Sequence, residues 1–85
     1  MRIAFIGGGH MTTSLVGGLR ARGAAGEDLC VSAPVAAQRA RLEFDFGVRT
    51  TPANAEAVRE AGLVVLAVKP QDMAAAAQSI AAELA

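Results

Sequence analysis

The stretch Ile3-Ala4-Phe5-Ile6-Gly7-Gly8-Gly9-His10-Met11-Thr12 constrains this chain more than any other. A short apolar run stops at a glycine cluster, and a helix-like pattern begins at once. That order suits a βα turn that holds a dinucleotide. The first glycine makes the tight turn and the second lets the backbone approach a pyrophosphate. The helix behind them offers free N–H groups and a positive dipole end. Gly7 and Gly9 fill the first two positions, and Thr12 stands where a third small residue lets helix and strand pack closely. A glycine pattern alone is a weak motif, and its other reading is a purely structural turn. Its place between an apolar N-terminal run and a helical pattern favours the dinucleotide reading.

The rest of the chain alternates strand and helix patterns. Arg2 to Ile6 reads as a short buried strand. From Met11 the apolar positions Met11, Leu15 and Leu19, with Val16 alongside, fall at helical spacing and predict one face against a sheet. Arg20 and Arg22 read as its solvated last turn, and Gly23 suits the C-terminal cap. Gly17 and Gly18 each cost a helix roughly 1 kcal/mol against alanine, which points to close approach by a neighbouring element. Leu29-Cys30-Val31-Ser32 reads as a second strand. Pro34 suits the first turn of a helix that runs to Phe46 and stops at Gly47, with Val35, Leu42 and Phe46 on one face. Val48-Arg49-Thr50 is a third strand, and Asn54 to Ala61 a short helix before Gly62. Leu63 to Val68 is apolar at every position, as expected of a parallel strand covered on both faces, until Lys69-Pro70 ends it. Asp72 suits the cap of a last helix with Met73, Ala77, Ile80 and Leu84 at helical spacing. Met11 and Met73 are expected in the core.

This βαβαβαβα order predicts an α/β fold, a Rossmann-type parallel sheet with helices on both faces, of which the chain supplies the first half only. Residues 1–85 are therefore expected to be the N-terminal part of an NAD(P)-binding domain. The last strand is expected to form an exposed apolar edge, and the isolated chain to self-associate. Eight basic and eight acidic residues give a net charge of zero, with no basic patch interleaved with aromatics, so nucleic acid is not an expected partner. No apolar run approaches the ~20 residues of a membrane span, and the N-terminus lacks a signal-peptide layout. The single cysteine, Cys30, reads as a core thiol, and the chain as cytoplasmic.

NAD-preferring sites carry an Asp or Glu at the end of the second strand, about 20 residues past the glycines. Here that place is Ser32-Ala33-Pro34, and Asp28 lies before the strand. NADP(H) is accordingly favoured, with NAD(H) the other candidate. Ser32 is a potential donor to a 2′-phosphate, and Arg39 and Arg41 lie on the following helix; the plain reading of both arginines is a solvated helix face. Open α/β sheets bind ligands beyond the carboxyl ends of their strands, which brings Ala67-Val68-Lys69-Pro70 into the same crevice. Lys69 is the only lysine, read as a loop residue at the nicotinamide-ribose end or as an ordinary surface lysine. His10, the only histidine, is expected to order the phosphate loop rather than act as an acid.

Taken together, Ile3-Ala4-Phe5-Ile6-Gly7-Gly8-Gly9-x-Met11, the Ser32-x-Pro34 turn, Asn54 and Ala67-Val68-Lys69-Pro70-Gln71 resemble the pyrroline-5-carboxylate reductase family over essentially the whole chain. The resemblance implies reduction of the C=N bond of 1-pyrroline-5-carboxylate with NAD(P)H in proline biosynthesis. It implies cofactor contacts from Ile6, Gly7, Gly8, Gly9, His10 and Met11, from Ala33 beside Ser32, from Asn54, and from Ala67, Val68, Lys69 and Pro70. In that family a helical C-terminal domain makes the dimer and supplies the imino-acid pocket. No catalytic residue is therefore expected among these residues, and a homo-oligomer is expected of the full-length form. Two positions depart from the family: His10, usually Asn or Gln, and Thr12, commonly Ala. The bulk of Thr12 is expected to loosen the closest helix–strand contact and lower cofactor affinity. Two other readings compete. One is a non-catalytic Rossmann module that binds nucleotide or pairs with a partner. The other is a different nicotinamide oxidoreductase such as a hydroxyacid dehydrogenase relative, against which Lys69-Pro70-Gln71 argues.

Overall fold

Four short runs become the strands of one parallel sheet in a computed structural model that describes residues 1–84. They are β1 (Ile3–Ile6), β2 (Leu29–Ser32), β3 (Arg49–Thr51) and β4 (Leu63–Leu66), in the order β3-β2-β1-β4. Phe5 lies in register with Val31 on one side and Val65 on the other. Because alternate side chains leave a strand on opposite faces, β1, β2 and β4 each feed two cores. Phe5, Leu29 and Val31 pack with Val16 of α1 (His10–Ala21) and Leu42 of α2 (Ala36–Phe46). Ala4, Ile6 and Cys30 pack with Ala57 and Val58 of α3 (Asn54–Val58) and with Ala76 and Ile80 of α4 (Met73–Leu84). The expected Rossmann-type sheet with helices on both faces is what forms. The chain winds outward from β1 to β3, then returns to place β4 on the other side of β1. This reversal makes the carboxyl ends of β1 and β4 a topological switch point, where open α/β sheets leave a crevice.

Local chemistry explains the C-terminal ends of α1 and α2. Gly23, at φ +100°, closes α1 in a Schellman turn: its N–H reaches the Arg20 carbonyl at 3.1 Å and the Ala24 N–H reaches Leu19 at 3.0 Å. Arg20, expected to be merely solvated, donates to the Phe46 carbonyl at 2.8 Å and to the Ala24 carbonyl at 2.6 Å. It thereby satisfies the end of α2, where a cation also suits the dipole. At Gly17 an added Cβ would stand 3.2 Å from the Phe46 ring, so the close neighbour is α2. Nothing in the fold accounts for Gly18, which faces open space.

Several expectations of the sequence are corrected. The sheet-facing stripe of α1 is Thr12, Val16 and Leu19, and Met11 and Leu15 are exposed. In α4 the buried positions are Ala76 and Ile80, so Met73, Ala77 and Leu84 do not form the core face. Neither Met11 nor Met73 is a core residue. Helix α2 starts at Ala36, leaving Pro34 and exposed Val35 in the loop, and α3 ends at Val58 rather than Ala61. Strand β3 is shifted one residue, to Arg49–Thr51. Asp72 lies within a 3-10 turn (Pro70–Asp72) before α4. Strand β4 stops at Leu66 and is an edge strand, only partly covered, as the exposed-edge argument requires and the two-sided burial argument does not. Among the described residues, no helix is long and apolar enough to cross a membrane.

Candidate functional site

The site is built where β1 runs into α1. Gly7 has φ +110°, a conformation that side chains rarely adopt, and a Cβ there would lie 2.3 Å from the Ala67 carbonyl oxygen. Its N–H donates to the Ser32 carbonyl at 2.8 Å, while the Ala67 N–H donates to the Ile6 carbonyl at 2.8 Å. The single peptide unit between Ile6 and Gly7 thus joins the carboxyl end of β1 to those of β2 and β4. At Gly8 a Cβ would press on Ala33 and Gln38 at 2.9 Å each. At Gly9, by contrast, it would meet nothing within 4 Å. The space over Gly9 is open, and it lies against the N-terminus of α1. Gly9 is the N-cap of α1; no side chain caps that end, and no acidic residue stands in its first turn. The first-turn N–H groups are therefore available to an anion.

Thr12 overturns the expectation of a loosened joint. It is completely buried, and its Oγ1 donates to the Gly7 carbonyl. The extra volume is accommodated, and the hydroxyl ties the first turn of α1 to the glycine whose positive φ makes the turn.

A groove of about 510 Å³ runs along the strand ends, lined among others by Ile6, Gly7, Gly9, Ser32, Asn54, Ala67, Val68 and Lys69. The structure thus brings together most residues singled out in the sequence. Sequence reasoning missed Asp72, Ala75 and Ala76, which α4 and its preceding turn present to the same groove. Pro70 begins that turn. Ala33 is buried beneath Gly8 and held by the Arg39 guanidinium, which donates to its carbonyl at 2.7 Å. Gly8, His10 and Arg41 border a second cleft, of about 640 Å³, between α1 and α2, which Gly9 shares. Exposed Met11 projects from α1 and lines neither.

Two expected roles change. The Ser32 side chain is buried, and its hydroxyl donates to Asn54 Oδ1, so it positions Asn54 instead of presenting a free donor to a 2′-phosphate. Arg41 is exposed, with Nε 3.9 Å from the Asp45 carboxylate, whereas Arg39 is the arginine fixed at the end of β2. No acidic side chain stands in the Ser32-Ala33-Pro34 turn. Burial pushes the Cys30 thiol above its ordinary range, an effect that Arg49 opposes and Glu56 reinforces. Its place in the sheet core confirms the structural reading. No cluster of His, Cys, Asp and Glu that could hold a metal ion occurs among the described residues.

A strand order reversing at β1, a glycine turn of positive φ and an open space above a helix N-terminus define a Rossmann-type α/β domain with a crevice at its switch point. The chain belongs to the family described as NADP oxidoreductase, coenzyme F420-dependent, which it matches over residues 2–85. Within it, the chain is similar to the N-terminal NAD(P)-binding region of pyrroline-5-carboxylate reductases. It is 49% identical over 83 residues to the pyrroline-5-carboxylate reductase of Pseudomonas aeruginosa, covering 98% of this chain and 30% of that protein. The Vibrio alginolyticus enzyme of the same name is 51% identical over 73 residues, 86% of this chain and 27% of the relative. A solved pyrroline-5-carboxylate reductase from Coxiella burnetii superposes with a TM-score of 0.90 at 34% identity, covering 93% of this chain and 29% of that one. The chain thus spans about 30% of the length of the curated relatives it matches.

Proposed function

We propose that this chain is the cofactor-holding part of a pyrroline-5-carboxylate reductase, and that the dinucleotide it holds is preferentially NADP(H). The observation that carries the reading is the turn at Gly7: positive φ, no room for a Cβ beneath Ala67, and open space beside it over Gly9. A turn needed only for chain reversal has no use for that empty space at an uncapped helix end. The Gly7–Gly9 backbone and the first N–H groups of α1 receive the pyrophosphate. Ala33 and Arg39 border the adenosine ribose at the end of β2, and the absence of a carboxylate in that turn removes the group that would repel a 2′-phosphate. Asn54, bonded to Ser32 at the end of β2, lines the same groove; across it the segment Ala67 to Lys69 borders the other half of the cofactor, with Pro70 opening the next turn and Asp72 at the rim.

When bound, the nicotinamide cofactor supplies the hydride that reduces the C=N bond of 1-pyrroline-5-carboxylate. These residues bind and orient it. The imino-acid pocket, and the subunit contacts of a homo-oligomer, belong to the remainder of a protein of the relatives' length. Calorimetric titration of the chain with NADPH and then NADH tests the reading. Saturable binding with NADPH the tighter ligand supports it. Equal affinities would remove the NADP preference, and binding of neither would remove the cofactor role of this chain by itself.

A further inference from the structure

Asn54, the first residue of α3, is held by a strand and a second helix at once. Ser32 Oγ of β2 donates to its Oδ1, its Nδ2 donates to Ser79 Oγ of α4 at 2.9 Å, and Ser79 Oγ donates to the Ala76 carbonyl at 2.6 Å. The protons run in one direction, from Ser32 through Asn54 and Ser79 to a backbone carbonyl. Because the Ser79 hydroxyl proton goes to Ala76, its oxygen faces Asn54 as an acceptor, and only the NH₂ side of the amide can meet it. That leaves the carboxamide oxygen for Ser32, so its orientation is fixed at both ends. A carboxamide has two N–H donors and two lone pairs on oxygen, so one donor and one lone pair remain. Asn54 lines the groove at the strand ends; Ser79 does not.

We infer that Ser79 is a positioning residue for the dinucleotide groove: it fixes the Asn54 amide so that its remaining donor and acceptor are presented together to a hydroxyl-bearing, uncharged part of the ligand. A group that donates and accepts at once, such as a ribose hydroxyl, matches that pair. The inference rests on the reading of the groove as a dinucleotide site. It adds that α4, which contributes no residue of the glycine turn, sets the polar geometry opposite that turn. Nothing in the sequence singles out Ser79, which stands one position from the core residue Ile80 in an alanine-rich helix.

The test has two readouts on the 85-residue chain. The first needs no ligand: the side-chain NH₂ resonances of Asn54, followed by ¹⁵N relaxation. In the unaltered chain they behave as a rigid group, in Ser79→Ala they become mobile, and in Ser79→Thr they stay rigid. An equally rigid amide in Ser79→Ala would overturn the inference. The second is NADPH affinity by calorimetry. Ser79→Ala is expected to weaken binding about tenfold, the scale of one lost hydrogen bond, and Ser79→Thr to restore it. In Asn54→Ala the further change Ser79→Ala is expected to add nothing. Additive losses, or Ser79→Ala binding unchanged where Asn54→Ala is weakened, would overturn it. If the unaltered chain binds no dinucleotide, the reading of the groove fails, and the relaxation result decides the positioning role by itself.

Discussion

Strands β2 and β4 flank β1 in matching register, Leu29 and Leu63 both opposite Ile3, and are four residues long each. By sequence β4, Leu-Val-Val-Leu, is the more apolar, and β2, Leu-Cys-Val-Ser, the less. By structure the order is inverted: every residue of β2 is buried, while Leu63 of β4 is 47% exposed and its neighbours are only partly covered. Position in the sheet sets burial. Strand β2 lies between β1 and β3, and among the described residues β4 has a partner on one side only. The buried polar end of β2 is tolerated because the Ser32 hydroxyl finds Asn54, as a buried donor must find an acceptor. The unpaired side of β4 is an apolar sheet edge, the kind of surface that invites another strand.

Gly7 bonds to the end of β2 and packs against Ala67 beyond the end of β4, so Gly7→Ala breaks the comparison most severely. The added methyl meets the Ala67 backbone in a conformation alanine resists, and the expected loss is about 3 kcal/mol or more in urea unfolding, with NADPH binding abolished. A mild effect would mean that the β4 end yields freely. A sharper test uses one substitution on both sides of Phe5. Val31→Ala leaves a cavity where exposure is 0% and should cost about 2–3 kcal/mol, while Val65→Ala on the edge should cost about 1 kcal/mol. Equal losses by urea unfolding would contradict a burial set by sheet position.

The sequence was legible where a pattern has a single physical meaning. Strand–glycine–helix at Ile3 to Thr12, the Gly23 and Gly47 helix stops and the alternation of elements each led to the observed topology. It misled where helical faces depend on which neighbour is present. In α1 the sheet meets Thr12 and Val16, and Met11 with Leu15, although apolar and correctly spaced, point elsewhere. A threonine reads as a poor core residue until the Gly7 carbonyl that accepts its proton is in place. The site was legible as a set of segments, because strand ends and glycines mark the crevice. The ties among its side chains were not: Ser32 to Asn54, Asn54 to Ser79 and Arg39 to Ala33 each join residues whose proximity only the fold creates.

Thr12 separates volume from hydrogen bonding at the β1–α1 joint. Thr12→Val keeps the volume and orphans nothing but the Gly7 carbonyl, so a stability loss of about 1–2 kcal/mol with weaker NADPH binding is expected, and Thr12→Ser should retain both. If Thr12→Ala instead tightened binding, bulk and not the hydroxyl would govern the joint. The smallest effect belongs to Cys30 within β2. Its thiol is raised above the ordinary value of 9.0 chiefly by burial. The fold therefore favours the protonated form: this contribution to stability is complete below the ordinary thiol range and is lost as pH rises through the raised value. Urea unfolding from neutral to alkaline pH should show a flat region and then a decline, and native Cys30 should react slowly with a thiol reagent.

The most direct measurement is a map of backbone amide shifts of the chain as NADPH is added. The account predicts concerted changes at Gly7 to Met11, Ala33, Asn54 and Ala67 to Lys69, which converge only because β1, β2 and β4 end on one groove. Changes confined to the cleft between α1 and α2, or none at saturating NADPH, would contradict it.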